Sequence, residues 1–332
     1  MNLYPLAEIG IAFIPILLFL AALQLFDSFK LVNLQSLMVT LLVGGAVAAL
    51  AIFINATVSY WLQISYSTFL RFVAPFIEEA LKIVYVVILV RANRVGFMVD
   101  AAIYGFAVGA GFAIVENTYY LNVLTEAGLS TWFVRGFGTA VMHGGTTAAA
   151  AIIIKNLAHR KNWGIGMLFI PGYAAASLLH MLYNLFILPP ITLTLIILIT
   201  LPPLVYAIFK ASEEQTQQWL GTGLDNEMEM LQTLLAGNIA DTRIGRYIKS
   251  IQDNFPDYMM ADIIGYIRIY LELAVKAKGM LIMKESGIDP PIDEETKAQF
   301  RELRFLEQSI GPTGKLALQP LLKIGRTDLW QL

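Results

Sequence analysis

Seven stretches of about twenty residues, near 8–26, 33–56, 68–90, 99–121, 132–155, 164–188 and 191–209, are apolar almost throughout. A helix needs roughly 20 such residues to cross about 30 Å of hydrocarbon, and in lipid the backbone must satisfy its own hydrogen bonds. The pattern predicts an all-α polytopic membrane bundle of about seven transmembrane helices. Charge agrees with it: 14% of the 332 residues are charged, against about 25% in soluble domains. Of 23 Lys/Arg and 25 Asp/Glu, only nine and seven precede residue 210. No basic residue precedes the first stretch and no small-residue cleavage pattern follows it, so it reads as a retained span rather than a signal peptide.

Lys and Arg in short loops orient such a bundle. They fall after odd-numbered spans, at Lys30, Arg91, Arg94, Lys155, Arg160, Lys161 and Lys210, and hardly at all after even-numbered ones. This predicts a plasma-membrane protein with its N-terminus outside and its C-terminus cytoplasmic. Residues 1–209 form the membrane domain and 210–332 a cytoplasmic helical domain or tail, with helical spacing over 227–235, 258–277 and 294–310. The tail has no histidine and no phosphate loop. Zero cysteines exclude thiol catalysis and Cys-based zinc sites, and a net charge of −2 leaves no footprint for nucleic acid.

Ionisable side chains inside a span cost about 2.5–3.5 kcal/mol each on insertion scales and mark functional sites by default. They are few: Glu78, Glu79 and Lys82 in the third span, Glu116 beside Asn117 in the fourth, His143 in the fifth, and His180 with Asn184 in the sixth. Because successive spans run in opposite directions, counting at about 1.5 Å per residue puts Glu78, Glu116, His143 and His180 in one layer of the outer half of the bilayer. Helical spacing sets Lys82 on the face of Glu78 and turns Glu79 away by about 100°, so the two carboxylates are expected to point apart, with Lys82 offsetting the buried charge of Glu78. Amide hydrolysis needs an activated water, an oxyanion stabiliser and a proton donor, and this layer contains all three kinds of group.

The arrangement resembles the PrsW family of bacterial intramembrane proteases, relatives of the CAAX-prenyl-protease and bacteriocin-processing membrane peptidases. Glu78-Glu79-Ala80-Leu81-Lys82 fits an EExxK motif and Phe112-Ala113-Ile114-Val115-Glu116 fits FxxxE; His143 and His180-Met181-Leu182-Tyr183-Asn184 complete a set of four over 70–187. The resemblance implies a regulated intramembrane protease whose substrate is a membrane protein or peptide, such as a single-pass anti-sigma factor. It makes Glu78 or Glu79 the activating carboxylate, has Glu116 and His143 complete the water site, and lets His180 and Asn184 assist the carbonyl, with Lys82 and Asn117 in support. Two chemistries stay open: zinc held by Glu116, His143 and His180 with Glu78 as base, since two His and one Glu are a known catalytic zinc set, or a metal-free glutamate protease.

The competing readings are a proton- or ion-coupled transporter using the same residues, and a receptor or scaffold. Structural roles are expected for Arg71 and Arg135 as interface anchors, for Asn117 as either an interhelical bond or a substrate contact, and for Tyr60, Trp61, Trp132 and Trp163 as membrane-belt residues. His159, in a basic loop, reads as solvated.

Overall fold

A computed structural model describes residues 4–27, 29–160, 164–237, 242–288, 290–318 and 320–322. Lys161 and Trp163 lie outside them, as do the side chains of His159 and Arg160. Among the described residues every regular element is helical: α1 (Tyr4–Leu25), α2 (Leu34–Leu62), α3 (Tyr66–Phe72), α4 (Ala74–Arg91), α5 (Met98–Val123), α6 (Leu129–Phe133), a π-helical turn (Val134–Thr139), α7 (Ala140–Arg160), α8 (Ile165–Asn184), α9 (Pro190–Leu235), α10 (Arg243–Gln252), α11 (Asp257–Glu285) and α12 (Glu294–Leu318). They form two compact units, Met1–Glu213 and Glu214–Leu332.

Among the described residues six helices are long and apolar enough to cross a membrane, and the chain is a multi-pass membrane protein. The third expected span, 68–90, is not among them. It is divided at Val73 into α3 and α4, with Pro75 in the first turn of α4, where its missing N–H costs nothing. The 18 residues of α4 cover about 27 Å at the helical rise, and they include Glu78, Glu79, Lys82 and Arg91. The last expected span does not stop at 209 either. α9 continues for 46 residues through Pro202 and Pro203, because the polar stretch after Lys210 is a good helix former with no breaker before Gly221.

α5 is the central helix of the first unit, buried at every position from Val99 to Ala113. α2 and α7 pack along it, while α4 and α8 pack on one another and on α7. Glycine sets the spacing. A Cβ on Gly44 would overlap the Val108 carbonyl of α5, and one on Gly109 would overlap the His143 carbonyl of α7. Backbone therefore meets backbone on both sides of α5, as small residues allow in membranes, and motif residues on α4, α5 and α7 are drawn within side-chain reach.

In the second unit, α11 buries Ile263, Ile267, Leu271 and Ala274 against Leu303, Leu306 and Ile310 of α12, with Ile248 and Ile251 of α10 packed on the same core. Lys278, 1% exposed, is paired with Glu227 and lies 4.6 Å from the centre of the Trp219 ring. The helix predicted over 294–310 extends to Leu318 through a kink at Gly311, whose φ of 61° precedes Pro312.

Candidate active site

α4 delivers Glu78, Glu79 and Lys82 to the interior, all buried. Glu79 Oε1 accepts from Lys82 Nζ at 2.5 Å, from His180 Nδ1 at 2.9 Å and from Thr146 Oγ1 at 3.3 Å. Glu78 Oε1 accepts from Asn55 Nδ2 of α2 at 2.9 Å, and its Oε2 lies 3.9 Å from His180 Nε2. The ion pair expected between Lys82 and Glu78 is thus made with Glu79, three residues away and equally a helical neighbour. Nor do the carboxylates point apart. Three rotatable bonds let each reach round the helix, and together they approach both nitrogens of His180.

These contacts fix tautomers. A carboxylate only accepts, so the His180 proton sits on Nδ1 and Nε2 carries the free lone pair. Lys82 Nζ lies 3.2 Å from His143 Nδ1; an ammonium only donates, so the His143 proton sits on Nε2, 3.1 Å from Glu116 Oε2. The two imidazole rings meet edge to face, 4.8 Å between centres.

The same Oε2 of Glu116 is ion-paired with Arg135, whose Nη2 is 3.2 Å away. Arg135 also donates from Nε to Asn117 Oδ1 at 3.0 Å and stacks 3.8 Å above the Tyr120 ring. It is therefore a member of the cluster rather than an interface anchor, its reach inward being set by the π turn in which it sits. Such turns insert one residue into a helix and recur at functional sites. The side chains of Arg135 and Glu116 are 13% and 18% exposed, while those of Glu79, Lys82, His143 and His180 are at most 3%, so the cluster is most open at this pair.

Glu78, Glu79, Lys82, Glu116, His143 and His180 are brought together. Asn184 is engaged elsewhere, and Asn117 meets the cluster only through Arg135 among the described residues. Asn117 Nδ2 donates to the Ala12 carbonyl of α1 at 2.9 Å, and Asn184 Nδ2 to the Leu70 carbonyl of α3 at 3.0 Å. Trp132, 1% exposed, is a core residue rather than a belt residue, unlike Tyr60 and Trp61 at 76% and 77%. Arg71 is exposed. Asn55, Thr146 and Arg135 were absent from the expected site. The signal for Asn55 was an amide in an otherwise apolar span.

Glu78, His143 and His180 each offer a ligand atom within 4.8 Å of the other two. Two imidazoles and a carboxylate suit zinc, and Glu79 on His180 Nδ1 is the outer carboxylate that orients a metal-binding histidine. Glu79 Oε2 is buried without a hydrogen-bond partner among the described residues, an acceptor surplus that favours positive charge nearby. Binding a cation through Nε2 would need His143 in its other neutral tautomer, with Nδ1 protonated from Lys82 and the Nε2 proton passed to Glu116, which it already faces. The residues fit such an ion, with Glu78 in the ligand set where sequence reasoning had put Glu116.

The fold and the cluster together define a membrane-embedded helical bundle with a buried Glu/His centre. Residues 33–208 match the PrsW family intramembrane metalloproteases, and the chain belongs to that family. No curated protein and no solved structure matches it.

Proposed function

We propose that this chain hydrolyses a peptide bond of a membrane-embedded substrate, such as a single-pass protein, at the cluster formed by Glu78, His143 and His180. The observation that carries the reading is the convergence of these three ligand groups within 4.8 Å inside an apolar bundle. A divalent cation such as zinc, when bound by them, supplies Lewis acidity that polarises a carbonyl and eases ionisation of water. Glu79 keeps the His180 proton on Nδ1, so that Nε2 faces the cluster. Lys82 offsets the carboxylate charge. Glu116, outside the ligand trio and on the more open edge, is the general base that takes a proton from water and returns it to the leaving amine. Arg135 holds Glu116 in place. Asn184 ties α8 to α3 and acts at a distance from the reacting bond. The relays of a transporter would use similar residues, but family membership favours hydrolysis.

Residues 1–209 carry the chemistry in this reading, and 210–332 form a cytoplasmic regulatory or substrate-docking region. The test is cleavage of a labelled single-span substrate by the full chain in lipid nanodiscs. Glu78→Gln, His143→Ala and His180→Ala should abolish cleavage, and Glu116→Gln should slow it by about 10²–10⁴-fold. Chelation should stop the reaction and zinc restore it. An intact substrate with the wild-type protein refutes hydrolysis; cleavage indifferent to chelation and to removal of the histidines refutes the metal centre.

A further inference from the structure

The face of α2 that packs on α5 is a stripe of small residues, Gly44, Ala48 and Ala51. The Phe112 ring lies against Ala48 and Ala51 and also beside Lys82 and His143. One turn beyond Ala51 the stripe ends in Asn55. Its Nδ2 donates to Glu78 Oε1, and its Oδ1 is buried with no partner among the described residues. An amide retained only to join two helices would use both ends, because a buried unmade hydrogen bond carries the full cost of desolvation. This one is tied to Glu78 and leaves its acceptor unfilled, which is how groups kept for a site rather than for stability behave.

We infer that Asn55 is a positioning residue for Glu78. Its amide engages Oε1 and leaves Oε2, 3.9 Å from His180 Nε2, as the oxygen presented to a cation between the histidines. Ligand carboxylates are oriented by outer hydrogen bonds of this kind, and losing one typically lowers metal affinity 10–100-fold. The close fit of α2 on α5 sets where Asn55 stands, so α2, which supplies none of the motif residues, contributes to the centre through one side chain. The inference rests on the metal-centre reading above.

The test uses the full chain in nanodiscs and two readouts: zinc affinity by competition with a chelator, and thermal melting of the metal-free protein. Asn55→Leu has a similar volume; it removes the unfilled acceptor but leaves Glu78 Oε1 without its donor, so its metal-free melting temperature should change little while its zinc affinity falls 10–100-fold. Asn55→Gln, which keeps the donor on a longer stem, should recover part of that affinity. Wild-type zinc affinity in Asn55→Leu overturns the inference. So does a loss of affinity that comes with a lower metal-free melting temperature and is not recovered by Asn55→Gln, because that is the behaviour of a structural residue. A wild-type protein that binds no zinc overturns the metal centre itself and this inference with it.

Discussion

Lys82 is fully buried and serves two partners, Glu79 at 2.5 Å and His143 at 3.2 Å. Removing one member of a buried pair strands the other, at a cost of about 3–5 kcal/mol, whereas replacing both by apolar groups is often nearly neutral. Lys82→Met alone should therefore destabilise the protein by about that amount, and the double variant with Glu79→Leu should recover most of it, as measured by denaturant melts in detergent. Two additive losses would mean that the pair is not coupled. Arg135 is tested by activity. Arg135→Lys keeps the charge but cannot hold Glu116 and Asn117 at once while stacking on Tyr120, so cleavage should fall at least about tenfold, a loss of roughly 1.4 kcal/mol in transition-state stabilisation. At this scale the motif residues were legible because a charge in an apolar run stands out. Their pairings were not: helical phase gives the direction of a Cα–Cβ bond, whereas Glu and Lys choose partners with several further torsions.

Among the elements, α5 owes its place to absent side chains. Gly109→Ala puts a methyl into the His143 carbonyl and has to push α5 from α7, so both stability and cleavage should drop, the former by about 1–3 kcal/mol. Gly145→Ala is the control on α7. A Cβ there meets Leu201 Cδ1 at an ordinary 3.9 Å and should be tolerated in both assays. α12 offers a pH test. Asp293 Oδ1 accepts from the Thr296 backbone at 2.8 Å, and the carboxylate also accepts from Lys276. Its bonds to Lys276 and then Thr296 hold its carboxyl below the ordinary value of 3.8. A depressed carboxylate stabilises the fold above its unfolded pKa and loses that contribution as pH falls through the folded one. The difference in melting temperature between wild type and Asp293→Asn should therefore be largest near neutrality and shrink below about pH 4. A difference constant with pH would remove the charge from the account. Periodicity and apolar length located the long helices but not the short α10, and they could not foresee the division at Val73 or the continuation of α9, because both depend on local backbone geometry rather than on hydropathy.

For the whole molecule, the Lys/Arg asymmetry makes compartment the measurable quantity. Between Glu126 and Gly221 run α6–α7, α8 and α9, three crossings by length and composition, so reporters fused at the two positions should lie on opposite sides of the membrane, Glu126 outside and Gly221 in the cytoplasm. Finding both on one side would discard this topology. The second unit has its own apolar core and contributes no member of the Glu/His cluster. A chain ending at Leu235 keeps α9 whole and should still cleave a simplified substrate in the nanodisc assay, with altered selectivity among full-length ones. A well-inserted but inactive truncation would place the tail within the catalytic machinery. Charge density in the sequence changes abruptly near residue 210; the tail's role was not legible, because its amphipathic faces are largely used to fold it.

The charge carried by α4 has a consequence for biogenesis. Its Leu, Ile, Val and Phe residues gain only about 0.3–0.6 kcal/mol each on entering lipid, while Glu78, Glu79 and Lys82 would each cost about 2.5–3.5 kcal/mol at mid-depth. The segment is a poor candidate for insertion as the ribosome first delivers it. Besides the Lys82–Glu79 pair within α4 itself, its ionisable side chains bond to Asn55 of α2 and to Thr146, His143 and His180 of α7 and α8, most of which are translated after it. On these costs α4 should settle in lipid only as α7 and α8 pack against it, so the docking of those helices is also the step that closes the Glu/His cluster.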